Sequence, residues 1–434
     1  MKGVKMIHKN NREHLASAIA KSRMRLVPFV ALMFAIAIID RSNVGFVKNV
    51  LQADVGISNA AFAFGASIFF IGYACFEIPS NLILHRVGAR LWLSRIMVVW
   101  GFVSAAMMFV QNEMTFYALR FMLGVAEAGF FPGVILYLTY WFPAQQRGRA
   151  LSIYYFGLPL ALLFGSPISG MLLDMGHVFG LKNWQWMFLV EGFAAVVIGV
   201  IAFFYLVDRP HKAKWLTEAE KEVLESKLAH ENQQKLLSGP KTLFSAFTDM
   251  RVLRLALIYS IIQLNVYGII FYLPTHIASL LDSNVGTAVG LLTAIPWLCA
   301  VIVMYFVIRY ADRTNCHQQF AIGMLIMMVL GIATLIFSTN LILALIASCI
   351  AVSGFVAVQP LFWTLPTRYL GGIPSAGGIA LINALGNLGG FLAPNLKTAV
   401  EILLESQRAG LLALAIAGVI GVLLLISPIV SKNN

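Results

Sequence analysis

AIAIIDRSNVGF, residues 35–46, is the stretch on which the fold turns. It lies within an apolar run spanning residues 26–48, which two adjacent charges, Asp40 and Arg41, interrupt. The alternative to a membrane span is that the run belongs to the large buried α-helical core of a soluble protein. If it crosses a lipid bilayer, the two charges are expensive, and ionisable residues in such positions face a protein interior, pair with one another and serve function.

The rest of the chain decides for the bilayer. Of 434 residues, 59% are hydrophobic and 12% charged, and mean hydropathy is +0.82. Soluble domains carry about a quarter charged residues. Twelve runs are long and apolar enough to be membrane helices: 26–48, 60–84, 91–110, 115–141, 148–173, 186–207, 254–276, 286–308, 319–338, 341–364, 373–396 and 409–430. The expected fold class is an all-α membrane protein whose other large partner is the lipid bilayer.

The net charge of +12 follows the topology. With the N-terminus inside, 25 of the 31 Lys and Arg fall on that side and four (Lys48, Lys182, Lys397 and Arg408) on the other. Arg41 and Arg120 lie within spans. This is the positive-inside pattern, so both termini are expected in the cytoplasm and no nucleic-acid partner is expected. The basic first 25 residues precede an apolar run too long for a signal-peptide core, so that run is expected to remain as the first helix. Cys75, Cys299 and Cys349 fall in spans and Cys316 in a loop, which predicts free thiols.

Residues 208–250 are the only long polar segment and divide the spans six and six. Expected parts are an N-terminal tail (1–25), a six-helix bundle (26–207), a central loop (208–250), a second bundle (251–430) and a C-terminal tail (431–434). Thr217 and Glu220 have capping-box spacing and predict a surface helix in the loop. The halves echo each other: LHRVGAR (84–90) follows the second span and IRYADRTN (308–315) the eighth.

The twelve spans, the six-plus-six split and the paired basic loops resemble the major facilitator superfamily. That resemblance implies two bundles rocking about a central site. His85 stands where many members carry an acid, whereas Asp312-Arg313 in the second loop fits. FEIPSNLILHRVGAR (76–90), LRFMLGVAEAGFFPGVILYLTYWFP (119–143), WQWMFLVEG (184–192), FWTLPT (362–367) and INALGNLGGFLAP (382–394), together with DRSN (40–43), are similar to the anion:cation symporter family. The resemblance implies import of organic anions, commonly sugar acids, with protons. It also implies anion binding by Arg41, proton coupling by Asp40 and Glu127, and substrate contact by Tyr73, Trp363 and Asn383.

The residues support the same division of labour. Arg120 and Glu127 are seven apart, so they share a helix face roughly 10 Å apart along the axis. A proton-coupled anion carrier needs a cation for the carboxylate and carboxyl groups that take up protons when desolvated. Arginine suits the first task through its planar fork. Asp40 and Arg41 are adjacent and point about 100° apart, so each needs another partner. Asp40 is expected to pair with Arg120, and Arg41 with Glu127. A static ion-pair network pinning the first helix to the fourth is the alternative.

Glu77 is read as a gating or packing residue, and Glu191 as an anchor of the sixth helix. Arg120, Gln263, Asn265, Tyr267, Trp363 and Asn383 join Tyr73 and Arg41 as candidate substrate-binding residues, although Gln263, Asn265 and Tyr267 cannot all share one face. Helix–helix hydrogen bonding is the competing role for the polar members. No nucleophile–base constellation, metal-ligand spacing or phosphate loop occurs, so no enzyme, cofactor or metal is expected, and ATP should not drive transport directly. The expected protein is a bacterial inner-membrane symporter, functional as a single chain, for an organic monocarboxylate. An aldonate is the leading substrate, with tartrate, phthalate or 4-hydroxyphenylacetate as alternatives. A non-transporting membrane sensor is the alternative outside transport.

Overall fold

The computed structural model describes residues 2–176, 180–237, 249–369 and 374–426, with backbone only at 2–10, 78, 85, 144–145, 232–237, 367–369, 374–380 and 407. The side chains of His85 and Arg368, and the expected C-terminal tail 431–434, lie outside the described residues.

The described chain is helical throughout, without a strand. The first half comprises α1 (Lys2–Phe46), α2 (Lys48–Val55), α3 (Asn59–Val87), α4 (Ala89–Ala106), α5 (Glu113–Glu127), α6 (Phe130–Thr139), α7 (Ala144–Tyr155), α8 (Gly157–Asp174) and α9 (Asn183–Tyr205). The central segment carries α10 (Glu218–Leu237). The second half comprises α11 (Met250–Ile270), α12 (Leu273–Leu280), α13 (Thr287–Thr314), α14 (His317–Ile336), α15 (Leu341–Tyr369), α16 (Pro374–Leu403) and α17 (Gln407–Ile426). Eleven segments among the described residues are long and apolar enough to cross a membrane. The remaining expected span, 373–396, coincides with α16.

Several expected spans are interrupted rather than continuous. The fourth is broken between α5 and α6, directly after Glu127. Gly129 makes the break with φ +83°, and a Cβ there would lie 2.4 Å from Ser80 Oγ, so glycine is required on both counts. The seventh is broken at Phe271–Tyr272, just before Pro274, whose ring cannot continue the preceding helix. Broken helices at mid-membrane leave backbone and side chains free to line a site.

The two bundles meet mainly through α8 against α13 and α3 against α16. Some of their contacts lie towards the end remote from the chain's N-terminus. There Asp174 Oδ2 accepts from the Thr287 backbone N–H at 2.7 Å, and Asn395 Nδ2 donates to Ser67 Oγ at 2.7 Å. A Cβ on Gly170 would sit 2.4 Å from the Gly286 carbonyl oxygen, so α8 and α13 touch backbone to backbone. At that end the two bundles are therefore in close contact. Large apolar side chains such as Phe164, Phe193, Phe204 and Leu423 are exposed, as a lipid-facing surface requires.

The predicted surface helix is α10. Thr217 N–H donates to Glu220 Oε2 at 2.9 Å and Glu220 N–H to Thr217 Oγ1 at 3.3 Å, which closes the capping box. The expected N-terminal tail is not loose at its inner end, because α1 starts at Lys2 and its later turns dock on α10. Lys21 Nζ bonds Glu220 Oε1 at 2.7 Å, and Ser17 Oγ donates to it at 2.6 Å. Burial alone would push the Glu220 carboxyl up, but the hydrogen bonds from Lys21, Ser17 and the Thr217 amide outweigh it and hold it at about 2, below the ordinary 4.5.

A group held low in the folded state stabilises it above its unfolded value and loses that contribution as pH falls. Between pH 4.5 and about 2 the wild type should therefore lose thermal stability that Glu220→Gln does not lose over the same range. Melting curves recorded across that range check this; curves that fall in parallel would show that the dock contributes nothing.

Candidate functional site

The cavity lies between the bundles. Arg41 enters it from α1, Tyr73 from α3, Gln263 and Tyr267 from α11, and Asn383 from α16. Its free interior is small, about 40 Å³.

Arg41 is held from two sides. Its Nε donates to Glu127 Oε1 at 2.8 Å and its Nη2 approaches the same oxygen at 2.5 Å. Its Nη1 donates to the Tyr267 hydroxyl at 3.2 Å, a bond from one bundle to the other. Aromatic faces back it, with Phe69 at 5.2 Å and Tyr73 at 5.1 Å from the guanidinium. The expected Arg41–Glu127 pair is present, and the break after α5 places Glu127 at its helix end.

The expected Asp40–Arg120 ion pair does not form. Asp40 turns to α4, where Trp100 Nε1 and Ser104 Oγ both donate to it, and Asn43 Nδ2 adds a third bond at 3.2 Å. Arg120 instead donates from Nη2 to the Ala66 carbonyl at 2.8 Å and stacks on Phe69 at 5.3 Å, while its Nε and Nη1 have no hydrogen-bond partner. Phe69 thus carries both guanidinium groups. Neutral donors satisfy Asp40 without a counter-ion, an outcome charge pairing alone could not anticipate.

Glu191 anchors α9 as expected. It accepts from Asn43 Nδ2 at 3.0 Å and from Ser169 Oγ at 2.6 Å, so Asn43 bridges two buried carboxyl groups. Glu77 accepts from Asn383 Nδ2 at 2.9 Å, across the bundle interface. Four buried carboxyl groups (Asp40, Glu77, Glu127 and Glu191) stand with two guanidinium groups, Arg41 and Arg120. Formal charges therefore do not balance unless protons supply the difference.

Three candidates fall away from the cavity wall. Arg120 is 1% exposed behind Phe69. Asn265 is fully buried and donates to the Ile261 carbonyl at 3.0 Å within its own helix. Trp363 packs edge-on behind Tyr259, with ring centroids 4.9 Å apart. Sequence reasoning missed Tyr155, Tyr259, Gln359 and Asn387, all of which line the cavity. Asn387 could have been found, because it lies one turn from Asn383 on the same face. Gln359 was visible as a lone amide in an apolar span, whereas the tyrosines carry no local signal.

Two helical bundles, a central cavity and one arginine held in it by a broken helix define a membrane transport protein. The chain belongs to the Major Facilitator Superfamily, whose family model matches residues 30–394. It is 44% identical to "Inner membrane transport protein RhmT" of Escherichia coli (strain K12), over 96% of this chain and 97% of that one. It is 40% identical to a "Putative tartrate transporter" of Agrobacterium vitis, over 96% and 92%. The structure of the partially occluded inward open conformation of the xylose transporter XylE from E. coli shares the fold, with a TM-score of 0.71 at 15% identity over 94% of this chain and 99% of that one.

Arg41→Lys retains the charge but not the planar fork. A role for Arg41 as an anion receptor predicts that the anion affinity of the purified protein falls by about tenfold or more, with folding and insertion intact. Affinity within a factor of two of wild type would remove Arg41 as the anion receptor.

Proposed function

We propose that the protein imports an organic monocarboxylate, an aldonate such as L-rhamnonate, across the inner membrane together with protons, with both termini in the cytoplasm. The observation that carries this is Arg41, presented to the cavity and paired there with a single carboxylate that a substrate can replace. The similarity to bacterial membrane transporters supports the class, and the unequal count of buried carboxyl and guanidinium groups supports a role for protons.

The cycle starts from the empty site, where Glu127 occupies Arg41. An arriving carboxylate takes the fork of Arg41 bidentately. Glu127 is then left in a low-dielectric cavity without its cation, where the charged form is disfavoured, and it takes a proton. Substrate binding favours protonation, and by reciprocity protonation favours substrate binding. Asp40, held by Trp100, Ser104 and Asn43 on the far face of α1, is the second protonatable carboxyl. Tyr267 joins Arg41 to the second bundle, so replacing the Arg41–Glu127 pair is felt across the interface that must rearrange.

A dicarboxylate such as tartrate has support from the names of two relatives. Among the described residues, however, Arg41 is the one cationic side chain on the cavity wall, which favours a single carboxylate.

Glu127→Gln mimics the protonated acid. In proteoliposomes it should bind substrate and exchange it across the membrane but fail to accumulate it against a gradient. Wild-type concentrative uptake driven by a proton gradient in this variant would move the coupling away from Glu127.

A further inference from the structure

Inside the first bundle, away from the cavity wall, two carboxyl groups stand on either side of one amide. Asp40 on α1 is 2% exposed and Glu191 on α9 is 6% exposed. Asn43, one turn along α1 from Asp40, is 1% exposed. Its Nδ2 donates to Asp40 Oδ1 at 3.2 Å and to Glu191 Oε2 at 3.0 Å. Its Oδ1 is buried without a hydrogen-bond partner. The other groups bonded to the pair are neutral: Trp100 and Ser104 of α4 on Asp40, and Ser169 of α8 on Glu191. On α5, Arg120 and Glu127 are the further charged groups that act on Asp40, while beside Glu191 α4 presents the backbone of Gly101.

Two buried carboxylates joined by one neutral amide repel each other in a low dielectric, and such a pair keeps a proton between them and titrates as a unit. The chemistry of the neighbours decides which member carries it. The indole N–H of Trp100 can only donate, so Asp40 Oδ2 must accept. Three donors reach Asp40 and favour its charged form. Two groups reach Glu191, and one of them is the Ser169 hydroxyl, 2.6 Å from Oε1, which accepts as readily as it donates. A proton on Glu191 Oε1 is therefore satisfied by Ser169, and a charge on Asp40 by three donors. With Glu191 neutral, Asp40 and Glu127 balance Arg41 and Arg120.

We propose that Asp40 and Glu191 form one proton site bridged by Asn43, with one proton resident on Glu191 in the empty protein and a place for a second on Asp40. This deepens the reading of Asp40 as the second protonatable carboxyl, and only the second proton rests on that reading. Glu191 is then more than an anchor of α9, because it sets the charge that the cluster carries. Asn43 is the element that distinguishes one proton from two. Its amine side serves a charged carboxylate, as it does here. Turned about its last bond, the same amide presents Oδ1, the acceptor now left empty, to protonated carboxyl groups.

Infrared spectroscopy of the purified full-length protein tests this, because the C=O stretch of a protonated carboxyl is resolved from the bands of the ionised form. Without substrate and at neutral pH, wild type should show a protonated-carboxyl band of about one group per chain that Glu191→Gln lacks and Asp40→Asn retains. Should Glu191→Gln fail to fold, Ser169→Ala makes a smaller change and should move the same band by removing its hydroxyl partner. On acidification a further carboxyl band should appear in wild type and be missing in Asp40→Asn. A neutral-pH band that persists in Glu191→Gln and disappears in Asp40→Asn would put the proton on Asp40 and overturn the inference. A spectrum unchanged by Glu191→Gln and by Ser169→Ala would overturn it as well. Absence of the acid-induced band alone would remove the second proton, and with it the proposed part of Asp40 in the cycle, and leave the resident proton on Glu191 standing.

Discussion

The bond between Arg41 and Glu127 is the constraint around which the rest is arranged. A guanidinium and a carboxylate at mid-membrane can persist only if each satisfies the other, and removing either leaves an uncompensated buried charge. The protein places them with two backbone devices. Asp40 and Arg41 occupy neighbouring positions on α1, so one faces α4 and the other the cavity. The break at Gly129 ends α5 immediately after Glu127. Phe69 and Tyr73 then supply aromatic surface behind the guanidinium, which holds it in place without a second anion.

A site held by one replaceable carboxylate is also a site that can switch. The bundles touch backbone to backbone where α8 packs on α13, and the Arg41–Tyr267 bond ties the cavity to the second bundle. The other buried carboxyl groups are kept apart from that pair. Asp40 and Glu191 share Asn43, while Glu77 reaches Asn383. Each is held by neutral donors, an arrangement compatible with either protonation state, whereas Glu127 is held by a cation and responds to losing it.

The fold was legible because the bilayer imposes length and apolarity on each span, and those are properties of composition. The long apolar spans, the surface helix announced by Thr217 and Glu220, and the pairing of Arg41 with Glu127 all rest on composition, local spacing or charge. What sequence could not show depends on neutral, long-range neighbours. Nothing in AIAIIDRSNVGF indicates that Trp100 and Ser104 would claim Asp40, or that the Ala66 carbonyl would take Arg120. The helix break at Gly129 was likewise hidden, since a glycine in an apolar span reads equally well as a packing residue. Tyr155 and Tyr259 reach the cavity through the angles at which whole helices pack, and no short window of sequence encodes those angles.

The central claim is that substrate binding releases Glu127 from Arg41 and that Glu127 then takes a proton. The most direct measurement is the pH change when an aldonate is added to the detergent-purified protein in weakly buffered solution at neutral pH. The account predicts proton uptake, seen as a rise in pH that saturates with binding and disappears in Glu127→Gln while that variant still binds. Substrate binding with no proton uptake in the wild type, or uptake of the same size in Glu127→Gln, would contradict it.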